Sequence, residues 1–270
     1  MERGFNRLKD RVAIITGGGK GIGKAISLAF SREGATVVAA GRTLSALQQT
    51  CDEIRSRGGK AKPIQTDISV EEQVVRMVSE TIKEFGRVDI LVNNSGIAGV
   101  TTRVADMDLI KWNETIAVDL TGAMLCAREV LKYMISQRRG NIVNVASEGG
   151  RSGDGRSGFP LRSVYCSSKM GLIGLTETLS IEAGEFNIRV NSVSPGPVKG
   201  EHITNAMRAK SKATNIPFEK IMEDLAANSS LKRIVEESEV AAVAVFLASD
   251  ESSAVTGQTI SVSCGQHVTL

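Results

Sequence analysis

The sequence predicts an α/β fold in which a parallel β-sheet is covered by helices on both faces. Three observations predict it. Short apolar runs rich in β-branched residues alternate along the chain with longer segments of helical periodicity. Most of these runs lack polar alternation, as expected for strands that are buried on both faces. No linker, low-complexity tract or fixed-period repeat divides the 270 residues. We therefore predict one domain spanning residues 1–270.

The elements follow one another as strand, helix, strand, which implies right-handed crossovers and a doubly wound sheet. Runs such as VAIIT, TVVAA, VDILV and NIVNV read as strands, and the segments between them repeat apolar residues every three or four positions. The predicted strands are 12–16, 36–40, 61–65, 88–92, 141–145, 188–193 and 258–262. The predicted helices are 22–32, 44–56, 70–85, 107–136, 165–186 and 236–248. A mostly polar insert, 199–231, precedes the last helix.

Composition narrows the possible functions. The 33 basic and 30 acidic residues give a net charge of +3, too balanced for a nucleic-acid or membrane surface. The four cysteines form no CxxC pair and there are two histidines, so we expect neither a disulfide framework nor a metal site. Residues 1–10 lack the apolar core of a signal peptide, and the longest apolar stretch, 240–248, is too short to span a membrane. A cytoplasmic protein is the expectation.

A glycine-rich segment, TGGGKGIG at 16–23, lies directly after the first strand and opens the first helix. Main-chain N–H groups at a helix N-terminus bind phosphate, and a Cβ atom there would block the approach. We assign the tight turn to Gly17, the close approach to Gly21 and the helix–strand contact to Gly23. In this position the segment predicts a pyrophosphate site and a Rossmann-type fold.

Further motifs recur after successive strands: Asp67, Asn93-Asn94-Ser95-Gly96, Ser147, Tyr165-Cys166-Ser167-Ser168-Lys169 and Pro195-Gly196. Together with the glycine segment, the series resembles the short-chain dehydrogenase/reductase family over essentially the whole chain, especially its 3-oxoacyl-reductase-like members. The resemblance implies an oxidoreductase that moves hydride between a nicotinamide cofactor and a carbonyl or secondary alcohol. The cofactor contacts that it implies come from Gly17, Gly19, Lys20, Gly21, Ile22, Gly23, Asp67, Ile68, Asn94, Gly96, Tyr165, Lys169, Pro195, Gly196 and Val198.

Asp67 and Ile68 are expected to meet the adenine, although Asp67 also reads as a helix N-cap. The residue after the second strand indicates which nicotinamide cofactor binds. An NAD enzyme usually places a carboxylate there to bind the ribose 2′-hydroxyl, whereas this chain has Gly41 followed by Arg42. Arg42 and Lys20 together resemble the NADP-preferring branch, because both can bind a 2′-phosphate. In the alternative, both are solvated cations in an NAD(H) enzyme.

Tyr165 and Lys169 lie four residues apart, so they share one face of a helix. Hydride transfer to a carbonyl leaves an alkoxide that needs a proton. A free phenol titrates near ~10, and a neighbouring ammonium stabilises its phenolate. The resemblance implies that Tyr165 is the proton donor, that Lys169 also holds the nicotinamide ribose, and that Ser147 binds the substrate oxygen.

Three features depart from the family pattern. Asp119 stands where the family usually has an Asn. That Asn supports a water molecule that links the lysine to solvent, so we expect Asp119 to be a catalytic residue together with Ser147, Tyr165 and Lys169. Gly200 replaces a Thr or Ser that often binds the nicotinamide carboxamide, and Thr204 is a possible substitute. The spacing from Ser147 to Tyr165 is longer than usual and holds Arg151, Arg156 and Arg162; these bind an anionic substrate group or lie in a solvated loop.

The main hypothesis is an NADP(H)-dependent enzyme with a Ser-Tyr-Lys mechanism; the substrate stays open among oxoacyl thioesters, steroids, sugars and small ketones. The alternatives are a catalytically weak NADP-binding sensor or scaffold, motivated by Asp119 and Gly200, and an epimerase or dehydratase with the same cofactor. The insert 199–231 is expected to form a substrate lid. The helices 107–136 and 165–186 resemble those that pair between subunits in this family, which implies a homotetramer. Apolar residues of the insert are expected on its inner face, unless they pack as in any helix: Ile203, Met207, Ile216, Phe218, Ile221, Met222 and Leu225.

Overall fold

The computed structural model describes residues 6–149 and 158–266. They form a seven-stranded sheet in the order β3-β2-β1-β4-β5-β6-β7, and every neighbouring pair of strands is parallel. The predicted doubly wound sheet is confirmed. The strands are β1 (Val12–Thr16), β2 (Thr36–Gly41), β3 (Lys60–Gln65), β4 (Ile90–Asn93), β5 (Gly140–Val145), β6 (Ile188–Pro195) and β7 (Thr259–Val262).

Helices join the strands and cover both faces of the sheet. The chain runs outward from β1 to β3 and then returns to place β4 beside β1. This reversal opens a crevice at the carboxyl ends of β1 and β4, the usual ligand site of such sheets. The helices are α1 (Gly21–Arg32), α2 (Leu44–Ser56), α3 (Glu71–Phe85), α4 (Leu109–Ile116), α5 (Gly122–Gln137), α6 (Ser163–Glu182), α7 (Glu201–Thr214), α8 (Phe218–Ala227) and α9 (Glu237–Ala248).

Successive residues of the central strands enter two separate cores. In β1, Ala13 and Ile15 face the core formed with α1, α2 and α9. Val12 and Ile14 face the core formed with α3, α5 and α6. Both Ile14 and Ile15 are fully buried, and each such side chain contributes about 1.5–3 kcal/mol relative to exposure. Burial on both faces explains why the strands lack polar alternation.

The predicted helix 107–136 is observed as unbroken helical backbone from Leu109 to Gln137, with a change of hydrogen-bond pattern within it. Helix α4 starts at Leu109, where the N-cap Asp108 accepts a hydrogen bond from the N–H of Ile110. A π-helical turn, Ala117–Thr121, then separates α4 from α5. The wider turn shifts the helical phase and places Asp119, which is 1% exposed, inside the protein.

The insert 199–231 forms α7, α8 and the segment that leads to α9. Ile221 is buried, whereas Ile216 is 41% exposed and does not join an inner apolar face. Among residues 6–149 and 158–266, the helices include none that could cross a membrane. The same residues include no cluster of histidine, cysteine and acidic side chains that could hold a metal ion.

Candidate active site

The glycine segment forms a cradle at the N-terminus of α1. Gly17 has a φ of +68° and Gly21 a φ of +55°, both in the region that favours glycine. A methyl group on Gly23 would lie 2.2 Å from the carbonyl oxygen of Gly17, so only glycine lets α1 begin under this loop. A methyl group on Gly21 would instead enter open space: among the described residues, only Oε1 of Glu237 lies within 4 Å of it, at 3.7 Å. The cradle therefore fits a pyrophosphate at Gly21 and Ile22.

Hydrogen bonds join the glycine segment to the end of β4. The hydroxyl oxygen of Thr16 accepts from the N–H groups of Asn94 and Ser95, each at 3.0 Å. The side-chain amide of Asn94 donates to the carbonyl oxygen of Thr16 at 2.9 Å. The side chain of Asn94 therefore positions the loop. Gly19 is also tightly packed, because a methyl group there would lie 3.0 Å from the backbone of α2.

The end of the crevice that is expected to hold the adenine lies beyond β2 and β3. Arg42 is exposed directly after β2, in an open cleft that also includes Asp67 and Arg76. Asp67 is not the N-cap of α3, which is Val70. Its carboxylate accepts from the N–H and the hydroxyl of Ser69, at 3.0 and 2.6 Å, and so closes the turn before the helix.

Two other residues expected near this end are placed differently. The side chain of Ile68 is 4% exposed, and a methyl group on Gly122 would lie 2.8 Å from it. The side chain of Ile68 therefore packs in the core. Lys20 is exposed as the N-cap residue of α1 and is not part of the lining described for the Arg42 cleft.

Ser147, Tyr165 and Lys169 come together after β5. Lys169 is 5% exposed; its ammonium donates to the carbonyl oxygen of Val145 at 3.2 Å and lies 5.8 Å from the centroid of the Tyr165 ring. The hydroxyl oxygen of Ser147 accepts from the N–H of Gly149 at 3.1 Å, so the hydroxyl proton remains to be donated. A methyl group on Gly149 would lie 3.2 Å from the Tyr165 ring, which shows how closely this loop approaches the phenol.

Asp119 lies against the same lysine. Its Oδ2 is 4.0 Å from Nζ of Lys169 and accepts from the hydroxyl of Ser168 at 3.2 Å. Its Oδ1 accepts from the N–H of Ile97 at 2.8 Å. A carboxylate offers an acceptor to each donor, whereas the side-chain amide of Asn has one acceptor oxygen. Gly96 completes the wall, since a methyl group there would lie 3.2 Å from the lysine Nζ.

Of the three loop arginines, Arg162 is described, while Arg151 and Arg156 lie outside the described residues. The Arg162 guanidinium carbon lies 4.8 Å from the centroid of the Tyr165 ring, and Nη1 reaches the hydroxyl of Thr101 at 3.5 Å. The neighbouring Cys166 accepts a hydrogen bond from the N–H of Phe159. Burial raises the pKa of the Cys166 thiol, which favours packing over reactivity.

The segment after β6 forms the opposite wall of the crevice. The Gly196 N–H donates to the carbonyl oxygen of Val262 at 3.0 Å, and Pro195 is buried. Val198 pairs with Val235 in an isolated bridge and packs on the core. The hydroxyl of Thr204 donates its proton to the carbonyl oxygen of Gly200 at 2.9 Å. Toward a nicotinamide carboxamide, the hydroxyl oxygen of Thr204 could therefore act only as a hydrogen-bond acceptor.

Glu237 is a residue of this region that sequence reasoning missed. In sequence it reads as an acidic residue in the first turn of a helix, which the helix dipole favours. In the structure its Oε1 also lies 2.9 Å from the position of a methyl group on Gly200. One carboxylate oxygen therefore faces both the glycine cradle and the opposite wall.

Comparison with known proteins agrees with this arrangement. Residues 17–267 match the family model described as enoyl-(acyl carrier protein) reductase. The chain is 39% identical over 261 residues to the 3-oxoacyl-(acyl-carrier-protein) reductase of Thermotoga maritima, covering 96% of this chain and 98% of that protein. Among solved structures, NAD⁺-bound xylitol dehydrogenase gives a TM-score of 0.91 at 28% identity, over 96% of this chain and 99% of that one. A variant actinorhodin polyketide ketoreductase with NADPH gives 0.88 at 31%, over 94% and 96%. The chain belongs to the short-chain dehydrogenase/reductase family of oxidoreductases.

Proposed function

We propose that the protein reduces a carbonyl group, or oxidises the corresponding secondary alcohol, with NADP(H) and a Ser-Tyr-Lys mechanism. One observation carries the proposal: Ser147, Tyr165 and the buried Lys169 lie together at the carboxyl end of β5. The glycine cradle opens at the carboxyl end of β1, in the same sheet. A dinucleotide bound along this edge would connect the two places.

Each residue has a defined task in this mechanism. Bound NADPH supplies the hydride that goes to the carbonyl carbon. Ser147 donates a hydrogen bond to the substrate oxygen while Gly149 holds the serine oxygen from the other side. Tyr165 gives its proton to that oxygen, and the ammonium of Lys169 stabilises the phenolate that remains. Val145 and Asp119 hold the lysine in place.

The test of this function is a panel of ketones, 3-oxoacyl thioesters, 3-oxo acids and their esters, with NADPH absorbance followed over time. Turnover of at least one class is the expected result. NADPH binding without turnover across the whole panel would favour the sensor or scaffold, the function that Asp119 and Gly200 suggested. Comparing 3-oxo acids with their esters also shows whether the Arg162 cation beside Tyr165 favours an anionic substrate.

The choice of NADP(H) over NAD(H) rests on the residues after β2. Gly41 and Arg42 replace the usual carboxylate at the end of β2 with a cation. Arg76 lines the same cleft, as does the carboxylate of Asp67. A charge-assisted hydrogen bond contributes about 1.5–3 kcal/mol, and a carboxylate would repel the 2′-phosphate. The similar solved structures hold NADPH in one case and NAD⁺ in another, so the fold alone does not select the cofactor.

Arg42→Ala is expected to raise the KM for NADPH by about 10- to 100-fold and to leave the KM for NADH unchanged, because only NADPH carries the 2′-phosphate. Initial rates at varied cofactor concentration measure both constants. Arg57→Ala is the matched control, since Arg57 is an exposed arginine whose side chain pairs with Glu53 on α2. An equal loss for both cofactors would count against 2′-phosphate recognition.

The insert 199–231 is proposed as the substrate lid, because α7 and α8 follow β6 at the edge where the site opens. Ile221 is buried and Ile203, Met207, Phe218, Met222 and Leu225 are partly buried. The lid would thus present apolar side chains to a substrate, in keeping with an acyl or ring-bearing carbonyl compound.

We also propose a homotetramer. Large apolar side chains are exposed along the helices that the family resemblance assigns to subunit pairing: Leu109 is 69%, Ile110 67%, Met170 39% and Ile181 82% exposed. Exposed apolar surface of this kind marks interaction sites. Light scattering at micromolar concentration is expected to give four times the 28.7 kDa chain mass. A monomer at that concentration would rule the tetramer out.

A further inference from the structure

Glu237 places a carboxylate between the two walls of the cofactor crevice. It is the first residue of α9. Its Oε1 lies 3.7 Å from the position of a methyl group on Gly21 and 2.9 Å from that of a methyl group on Gly200. Gly21 is the position where the cradle is open to a phosphate. The anionic part of a bound dinucleotide and this carboxylate would therefore be close neighbours.

Few groups on the protein neutralise Glu237. Lys24 on α1 attracts it, but the Lys24 ammonium is 2.9 Å from Glu53. Glu236 repels it and is itself 3.4 Å from Lys199. Within the part of the chain that the structure describes, we find no hydrogen bond to the Glu237 carboxylate. Burial, followed by the charge of Glu236, raises its pKa above the ordinary value for glutamate.

We propose that Glu237 couples dinucleotide binding to the uptake of a proton. The inference rests on the proposed function, because it places the pyrophosphate at Gly21. A pyrophosphate beside the carboxylate favours the neutral acid, since two anions at such a distance repel each other. Protonated Glu237 can instead donate a hydrogen bond to a phosphate oxygen. Protonation of Glu237 and binding of the cofactor are linked equilibria. Because the bound pyrophosphate raises the proton affinity of Glu237, the cofactor binds more tightly at low pH, where Glu237 is protonated.

The sign of the pH dependence follows directly. Below the pKa of Glu237 in the free protein, the group is neutral in both states and cofactor affinity is highest. Between that pKa and the higher pKa of Glu237 in the complex, each binding event takes up a proton. In this range the affinity for the cofactor falls by up to about tenfold for each unit that the pH rises. The pyrophosphate is common to NADPH and NADP⁺, so both forms should show the effect.

Isothermal titration of the full-length protein with NADP⁺, in two buffers of different ionisation enthalpy across a pH series, counts the protons taken up. The wild type is expected to take up a proton that Glu237→Gln does not. The variant should bind more tightly than the wild type at the high end of the series, with the two affinities converging at the low end. Comparison of the two proteins with one ligand cancels the titration of the 2′-phosphate.

Glu236→Gln is the matched control, because it removes the same charge one residue away. Its side chain is exposed and takes part in the capping box of α9, and glutamine retains the acceptor that this cap needs. The control should still take up a proton on binding, in a pH range somewhat lower than that of the wild type, because the charge of Glu236 helps to raise the pKa of Glu237. If Glu237→Gln and the wild type show identical proton uptake and pH dependence, the inference about Glu237 is overturned, and the proposed function is not affected. Failure of the wild type to bind any nicotinamide dinucleotide would instead contradict the proposed function, and the inference with it.

Discussion

Replacing Tyr165 by phenylalanine is expected to lower kcat for carbonyl reduction by about 10²- to 10⁴-fold, the usual contribution of a positioned general acid. The substitution removes the hydroxyl that we propose gives the proton, and it keeps the ring that lies beside Gly149 and Arg162. The Kd for NADPH should therefore change far less than kcat. Steady-state rates on a substrate from the carbonyl panel and fluorescence titration with NADPH measure the two quantities.

Tyr133→Phe is the control for this experiment. The chain has two tyrosines, and Tyr133 lies on α5, partly buried against the core formed with α3, α5 and α6. It should keep the kcat of the wild type. A Tyr165→Phe enzyme that turns over as fast as the wild type would remove Tyr165 from the mechanism.

Asp119→Ala is expected to destabilise the protein by about 3–5 kcal/mol, the usual cost of removing one partner of a buried ion pair. The N–H of Ile97 would lose its acceptor. The ammonium of Lys169 would lose its counter-ion and keep only the carbonyl oxygen of Val145, and the hydroxyl of Ser168 would keep only the carbonyl oxygen of Tyr165. Lys169 is itself 5% exposed, so water replaces the carboxylate poorly. The midpoint of urea unfolding, with its slope, measures the loss.

Two variants separate the role of Asp119 from a general sensitivity of this segment. Asp119→Asn retains one acceptor and should lose less stability than alanine. Asp106→Ala changes an exposed carboxylate in the segment before α4 and should alter stability by no more than about 0.5 kcal/mol. Unfolding of Asp119→Ala at the denaturant concentration of the wild type would contradict the ion-pair interpretation.

The strands and the glycine cradle could be predicted because their signals are local. The run Val12–Thr16 is apolar throughout, and both of its faces meet helices. The glycines follow that strand directly, so their position between strand and helix identified the cradle. Gly23 was assigned the helix–strand contact, and the structure leaves no room for a side chain there, because a methyl group would lie 2.2 Å from the carbonyl oxygen of Gly17.

The π-helical turn at Ala117–Thr121 could not be predicted, because a widened turn leaves the average helical periodicity of 107–136 nearly unchanged. The position of Glu237 was equally hidden, since residues 21, 200 and 237 are far apart in sequence and meet only through the fold. A motif also indicates which residues line a site, but it does not indicate which atoms of those residues face the ligand. Asn94 was expected beside the cofactor, yet its side-chain amide binds Thr16.

The central claim is that Tyr165 and Lys169 act together at the reactive carbon of the nicotinamide. A crystal structure of the complex with NADP⁺ tests it most directly. The account predicts that the Tyr165 hydroxyl and Oγ of Ser147 point to one place beside C4 of the nicotinamide ring, with Nζ of Lys169 close to the adjoining ribose. A complex in which the Tyr165 hydroxyl points away from C4 would contradict the proposed enzyme.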